Sequence, residues 1–176
     1  MTIITDEQVA YINKGGVIAY PTSTLPGLGC LPTKEGLDAL FELKSRSPDK
    51  PVSIGVASLD QVAHMVDIDP RIVEFVDAFP RGGLSVIYPA QQSLDARIGG
   101  QSVAIRVFDH PSARALAVAV GPVTATSANE AGEEPANTVA EAASELGLPD
   151  VAVVAGNRET GPGSTFVKID FDSDEP

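Results

Sequence analysis

Residues 103–126 read VAIRVFDHPSARALAVAVGPVTAT, and this stretch decides the fold class. Apolar residues dominate positions 103–108 and again 123–126, which is typical of short buried strands. Between them, positions 111–120 carry a helical pattern, and Pro111 suits the first turn of a helix. A strand, a helix and a second strand in immediate succession predict an α/β layer fold.

The alternation of strands and helices continues on both sides of this stretch. Helices are predicted at 5–14, 35–44, 59–65, 70–79 and 138–146, and strands at 17–20, 52–57, 84–88, 151–154 and 165–169. We therefore expect one α/β domain over residues 1–170, with a twisted, mixed β-sheet flanked by helices. An acidic C-terminal tail is expected at 171–176.

The composition argues against several classes of protein. Apolar residues make up 43% of the 176 residues and charged residues 20%, as in an ordinary globular domain. No apolar run is long enough to span a membrane, and the first seven residues lack the pattern of a signal peptide, so we expect a cytoplasmic protein. The single cysteine, Cys30, excludes an internal disulfide, and the scattered carboxylates predict no metal site in the protein.

The basic residues are few and unevenly distributed. The formal net charge is -12, yet three of the twelve basic residues lie within positions 44–50. These three, Lys44, Arg46 and Lys50, would suit a polyphosphate, although basic residues at a helix end also complement its dipole. The overall acidity argues against charge-driven binding to nucleic acid, although a local patch could still contact RNA.

Three loops at predicted strand ends are rich in polar side chains. Because ligands of α/β sheets bind in the crevice beyond strand ends, hydroxyl, amide and glycine residues there are candidates for holding a small polar substrate or an anion. The same residue types form ordinary turns and helix caps, so that alternative stays open for each loop alone. The loops cover positions 21–30, 124–132 and 156–165.

Arg106 is a charged residue within the apolar strand predicted at 103–108. A charge in such a strand is rarely buried without a partner. Three interpretations are open: the side chain faces solvent, pairs with an internal carboxylate, or points into a site and binds a substrate carboxylate in a bidentate manner.

Taken in order, these segments resemble one family over nearly the whole chain, the YrdC-like (TsaC-like) threonylcarbamoyl-AMP synthases. Each motif is weak alone, but their order and spacing are specific. The matching segments are Pro21-Thr22-Ser23-Thr24 with Gly27-Leu28-Gly29, Lys44-Ser45-Arg46 with Lys50-Pro51, Val103-Ala104-Ile105-Arg106 with His110-Pro111, Ser127-Ala128-Asn129, and Ser164-Thr165. The resemblance implies a YrdC-like fold with a concave ligand cleft.

The resemblance also implies a reaction and a set of residue roles. The family makes threonylcarbamoyl-AMP and pyrophosphate from L-threonine, bicarbonate and ATP with magnesium, for threonylcarbamoyladenosine in tRNA. Its partners would be the tRNA threonylcarbamoyl-transfer proteins. The residues implied to bind ATP are Lys44, Arg46, Lys50, Ser127 and Asn129. All of them except Lys50 are also implied to take part in catalysis. The residues implied to bind threonine are Ser23, Thr24, Arg106 and Ser164.

The chain departs from the family pattern in three places. Ser23 replaces the usual glutamate, Pro26 replaces a tyrosine, and Arg81-Gly82-Gly83 replaces a Pro-Gly-Pro turn. The two departures in the first loop, Ser23 and Pro26, keep open the alternative of a YrdC-like protein that binds nucleotide or RNA without synthase activity. A carbamoyl-transfer enzyme, like the YrdC-like domain of hydrogenase maturation, is a further alternative, although that domain normally belongs to a much larger chain.

Overall fold

The protein is built on a seven-stranded mixed β-sheet. The computed structural model describes residues 3–157 and 162–170. The strands are β1 (Ile18–Tyr20), β2 (Gly27–Gly29), β3 (Ser53–Val56), β4 (Leu84–Pro89), β5 (Ser102–Val107), β6 (Val123–Ser127) and β7 (Thr165–Lys168). Their order is β1-β2-β6-β3-β5-β4-β7. The pairs β3–β5 and β4–β7 are parallel and the other neighbours are antiparallel, so the predicted mixed sheet is confirmed.

Five α-helices accompany the sheet in the described part of the chain, and local sequence explains where they begin. They are α1 (Asp6–Asn13), α2 (Lys34–Leu43), α3 (Pro70–Asp77), α4 (Pro111–Val120) and α5 (Val139–Glu145). Capping boxes begin α1 and α5, with Thr5 and Thr138 as the N-cap residues. A proline in the first turn begins α3 and α4, as the sequence predicts for α4.

The core consists of two apolar clusters, and β1 contributes to both. Its alternating side chains point to opposite faces of the sheet. Ala19 packs into a cluster with α2 and the central strands, whereas Ile18 and Tyr20 pack into a cluster with α1 and α4. Both clusters contain fully buried aliphatic residues. The sheet is therefore held by helices from both sides, which is the layer arrangement that the sequence predicts.

Three predictions of local structure are wrong: one of a strand, one of a helix and one of a loop. The segment 151–154 was expected to be a strand, but it contains a 3₁₀ turn, Asp150–Ala152, and a single isolated bridge between Val153 and Ala19. The predicted helix at 59–65 is likewise a short 3₁₀ turn, Leu59–Val62. Conversely, the predicted loop 21–30 contains β2, which pairs with β1 and β6.

The glycines of β2 explain why this strand escapes prediction. Glycine has a low preference for strands, but the Tyr20 ring covers this part of the sheet. A Cβ atom at Gly27 or Gly29 would lie 2.8 or 2.9 Å from that ring, which is too close for a side chain. Glycine is thus required here by the packing of a neighbouring aromatic residue.

Two further expectations concern the termini and the membrane. The predicted acidic tail at 171–176 and part of the third polar loop, residues 158–161, lie outside the described residues. In the part of the chain that the structure describes, no helix has the length and apolar character needed to cross a bilayer.

The contact between Gly55 and Phe108 yields a test of the packing beneath the sheet. A Cβ atom at Gly55 would overlap the buried ring of Phe108. We expect Gly55→Ala to lower the free energy of unfolding by about 1–3 kcal/mol, measured by urea denaturation, because the core would be overpacked. In a Phe108→Leu protein, which lacks the ring, Gly55→Ala should lower the free energy of unfolding by less than it does in the wild type.

Gly163 provides the matched control for this prediction, since no atom lies within 4 Å of a Cβ built there. Gly163→Ala should change the free energy of unfolding by no more than about 0.5 kcal/mol. A Gly55→Ala protein as stable as the Gly163→Ala protein would contradict the described packing.

Candidate functional site

A cleft of about 240 Å³ lies against the sheet and contains many of the polar residues singled out in the sequence. Two arginines, Arg46 and Arg106, lie on its wall. The hydroxyl side chains on the wall are those of Thr22, Thr24, Ser53, Thr126, Ser127 and Ser164. A larger groove of about 940 Å³ lies near Arg71 and Lys168, but no predicted site residue lines it. Chemistry rather than volume therefore identifies the smaller cleft as the candidate site.

Arg106 is buried and points into the cleft. Its Nε donates a hydrogen bond to the Gly82 carbonyl at 2.9 Å, and its Nη2 donates to Thr24 Oγ1 at 2.8 Å and weakly to Ser23 Oγ at 3.4 Å. Within residues 3–157 and 162–170, no carboxylate forms an ion pair with it. Burial lowers the pKa of Arg106, and an unneutralised buried cation is unfavourable unless an anion joins it.

These contacts argue against two of the three interpretations of Arg106, and the third stays a prediction. The side chain neither faces solvent nor meets a carboxylate among the described residues, and it lies on the wall of a cavity. Strand alternation explains this position, since Ile105 packs into the core and its neighbour must point to the opposite face. The remaining interpretation, a guanidinium that faces an anionic ligand, fits the geometry.

Lys44 is buried behind the loop that follows β6. It caps the C-terminus of α2, and its Nζ donates hydrogen bonds to the carbonyls of Ser127 at 2.5 Å and Asn129 at 2.6 Å. Burial, with a smaller contribution from the charge of Arg46, lowers the pKa of Lys44 to about 8. Its ammonium does not line the cleft, but it fixes the loop that does and adds positive charge beneath it.

Arg46 brings the positive charge of segment 44–50 to the cleft wall. Ser45 adopts a left-handed conformation with φ 49, which turns the chain directly after α2. The Arg46 side chain then donates from Nε to the Lys50 carbonyl at 2.7 Å and from Nη2 to the Pro51 carbonyl at 3.0 Å. Burial lowers the pKa of Arg46. Lys50 itself is exposed and lies off the wall.

Asn129 has an unusual hydrogen-bonding arrangement. Its Nδ2 donates to the carbonyls of Glu130 at 2.9 Å and Glu133 at 2.7 Å, which fixes the amide. Its Oδ1 is buried and finds no hydrogen-bond partner among the described residues. A buried acceptor without a donor carries a desolvation penalty, so this oxygen is available to a donor or cation that binds there.

The structure brings together five of the nine predicted site residues on the cleft wall. They are Thr24, Arg46, Arg106, Ser127 and Ser164. The other four lie behind or beside the wall; they are Ser23, Lys44, Lys50 and Asn129. Ser164 Oγ lies 2.9 Å from Ser85 Oγ, which connects the start of β7 to β4.

The wall also contains residues that the sequence did not indicate, among them Ser53 and Phe166. Ser53 lies in β3, and Phe166 lies in β7 with 61% of its surface exposed. A serine inside the apolar stretch 52–57 was the available signal for the first. Phe166 could not be distinguished from a core residue by pattern, because a phenylalanine in a short apolar strand is usually buried.

Comparison with known proteins identifies relatives over most of the chain. The threonylcarbamoyl-AMP synthase of Aliivibrio fischeri is 35% identical over 158 residues, which make up 86% of this chain and 85% of that protein. The threonylcarbamoyl-AMP synthase of Marinobacter nauticus is 39% identical over 131 residues, or 71% of this chain and 69% of that protein. Both relatives match this chain over more than two thirds of their own length.

The structure is also similar to a solved one, the crystal structure of P. abyssi Sua5 complexed with L-threonine. The TM-score is 0.82 at 26% sequence identity, and the match covers 93% of this chain and 50% of that chain. This chain therefore spans about half the length of P. abyssi Sua5.

A family model matches nearly the full length of the sequence. This model, Sua5_yciO_yrdC, has the description "Telomere recombination" and matches residues 10–175. The family inferred from the ordered motifs is confirmed by this match and by the relatives. The chain belongs to the Sua5/YciO/YrdC family.

Proposed function

We propose that this protein is a threonylcarbamoyl-AMP synthase, which converts L-threonine, bicarbonate and ATP into threonylcarbamoyl-AMP and pyrophosphate. The observation that carries the proposal is the cleft with two arginines, Arg46 and Arg106, neither of which has an ion-pair partner among the described residues. Such a cleft suits a substrate pair with several negative charges. The names of the relatives at 35% and 39% identity support the same reaction.

The reaction requires positioning and positive charge rather than a protein nucleophile. The amine of threonine combines with bicarbonate to give a carbamate and water. A carbamate oxygen then attacks the α-phosphorus of ATP, and the bond to the bridging oxygen breaks as pyrophosphate leaves. Holding the reactants in line and stabilising the developing phosphate charge are the main contributions of the protein.

The threonine end of the cleft is assigned to Arg106 and its neighbours. The guanidinium is oriented by Gly82 and Thr24 and has a free side for the substrate carboxylate. The hydroxyls of Thr24 and Ser164, with Ser23 beside them, suit the amine and hydroxyl of threonine. The binding of L-threonine by the similar P. abyssi Sua5 chain supports this assignment.

The ATP end is assigned to the residues around the loop after β6. Arg46 and Ser127 lie on the wall and would contact the phosphates directly. Lys44 would act from behind the cleft wall. Its hydrogen bonds to the carbonyls of Ser127 and Asn129 hold the loop, and its charge attracts phosphate. Lys50, exposed at the rim, adds long-range attraction, and Asn129 Oδ1 would accept a hydrogen bond or face the cation that accompanies ATP.

Magnesium would enter with ATP, held by phosphate oxygens and water. The described residues contain no group of three or more histidine, cysteine or acidic side chains arranged to hold a metal. The product would pass to the tRNA threonylcarbamoyl-transfer proteins in the cytoplasm, where ATP, threonine and tRNA are present together. The net charge of -12 argues against extensive contact with the tRNA itself.

The direct test of the proposal measures pyrophosphate release by the purified protein with ATP and magnesium. We expect release only when threonine and bicarbonate are both present, with threonylcarbamoyl-AMP detected by mass spectrometry. Omitting either substrate should abolish release, because neither alone forms the attacking carbamate. Folded protein that releases no pyrophosphate with all substrates would overturn the synthase assignment.

Replacing Arg106 tests the threonine end. Arg106→Gln removes the charge but keeps a polar side chain, and we expect KM for threonine to rise about 100-fold, equivalent to about 2.7 kcal/mol of lost binding. KM for ATP should change little. Arg71→Gln is the matched control, since Arg71 is exposed and lies outside the cleft. Equal KM values for threonine in both variants would refute the role of Arg106.

The lowered pKa of Lys44 predicts a pH dependence. Because the ammonium loses its proton at about pH 8, the positive charge near the phosphates disappears as the pH rises through that value. We expect kcat/KM for ATP, measured from about pH 6.5 to about pH 9.5, to decrease as the pH rises above that value. Lys44→Met should have lower activity throughout and lack this fall.

The comparison between the two enzymes isolates Lys44, because the threonine amine and bicarbonate titrate identically in both assays. If the two pH profiles superimpose after scaling, the titrating group is not Lys44.

A further inference from the structure

Phe166 is a large apolar side chain that the fold leaves uncovered. It is 61% exposed, more than any other aromatic residue among those described. Phe75 and Phe79, the next most exposed aromatic residues, contact each other with ring centroids 4.9 Å apart. No ring in residues 3–157 or 162–170 contacts that of Phe166. Folding gains little from such a residue, because its apolar surface remains in water.

The position of Phe166 connects it to the site. In the parallel pairing of β4 and β7, Phe166 lies opposite Ser85, whose hydroxyl contacts that of Ser164. Ser164 directly precedes β7, and both Ser164 and Phe166 line the cleft. The exposed ring therefore stands at the mouth of the cavity that contains the two arginines.

Among the residues that the structure describes, the cleft has one other aromatic residue on its wall, Tyr20. Tyr20 is fully buried, its hydroxyl donates to the Thr124 carbonyl at 2.9 Å, and its ring packs edge-on against Phe108. The remaining wall consists largely of hydroxyl and guanidinium groups, which match phosphates and a carboxylate. Within residues 3–157 and 162–170, the accessible aromatic surface of the cleft is thus that of Phe166.

We infer that Phe166 is the residue on which the nucleobase of the bound nucleotide stacks. The inference rests on the proposed function, since it assigns the base of ATP to the rim while its phosphates lie within the cleft. Stacking on an aromatic ring is favourable for every base. Phe166 therefore strengthens nucleotide binding without selecting adenine, and selection among bases must come from other groups.

Steady-state kinetics test this role. We expect Phe166→Ala to raise KM for ATP about 10-fold or more, with kcat and KM for threonine nearly unchanged, because stacking contributes equally before and during the reaction. The same substitution should raise KM for GTP, if GTP is used, by a similar factor. Phe166→Tyr should restore binding, since it restores the ring. Phe75→Ala removes another exposed ring, outside the cleft, and should behave as the wild type.

A binding measurement tests the contact without relying on turnover. The chain contains no tryptophan and three tyrosines, so Phe166→Trp introduces a single indole at the rim, which can be excited selectively at wavelengths that tyrosine barely absorbs. ATP should quench its emission by stacking, whereas inorganic tripolyphosphate, which has no base, should not. Phe75→Trp should respond to neither ligand.

The outcomes separate this inference from the proposed function. Wild-type protein that makes threonylcarbamoyl-AMP while Phe166→Ala keeps the wild-type KM for ATP would overturn the stacking role alone. Quenching of Phe166→Trp by tripolyphosphate as strong as that by ATP would also overturn it. Quenching by ATP alone in a protein that releases no pyrophosphate would support base stacking and reject the synthase assignment.

Discussion

The uncompensated charge of Arg106 is the constraint around which the candidate site is organised. Its guanidinium is buried, yet among the described residues it meets only a carbonyl and hydroxyls. Those neutral acceptors orient the group without neutralising it, so an anionic ligand gains the full attraction of a charge in a region of low dielectric. The price is a less stable free protein, since a buried cation without a counter-charge is costly.

Lys44 and Arg46 show how two nearby cations can serve different purposes. They are two positions apart, but the left-handed turn at Ser45 separates their directions. Lys44 points inward, where backbone carbonyls from the loop after β6 surround its ammonium, and Arg46 lies on the cleft wall. One cation thus shapes the loop and the other faces the ligand, while both contribute to the same electrostatic potential.

The sequence predicts much of the fold, because capping residues and apolar periodicity are local signals. The helices at α1 and α4 and the mixed sheet follow from such signals. β2 could not be predicted, since its glycines are required by the Tyr20 ring of the neighbouring strand, a packing contact that residue preferences do not reveal. In the site, the motifs indicate which residues gather, but not that Lys44 lies behind the wall. That outcome depends on the turn at Ser45 and on carbonyls more than eighty positions away.

The departure from the family pattern at Ser23 lies beside Gly82, the glycine that the turn 81–83 shares with the Pro-Gly-Pro pattern. The Gly82 carbonyl accepts the bond that orients Arg106, and Gly82 has φ +75, a conformation that favours glycine. A Cβ atom there would lie 2.5 Å from Ser23 Oγ. The side chain of Ser23 therefore fills the space beside the guanidinium that a side chain at position 82 would need. A glutamate in place of Ser23 would bring a carboxylate close to Arg106, whereas serine leaves that charge for the ligand.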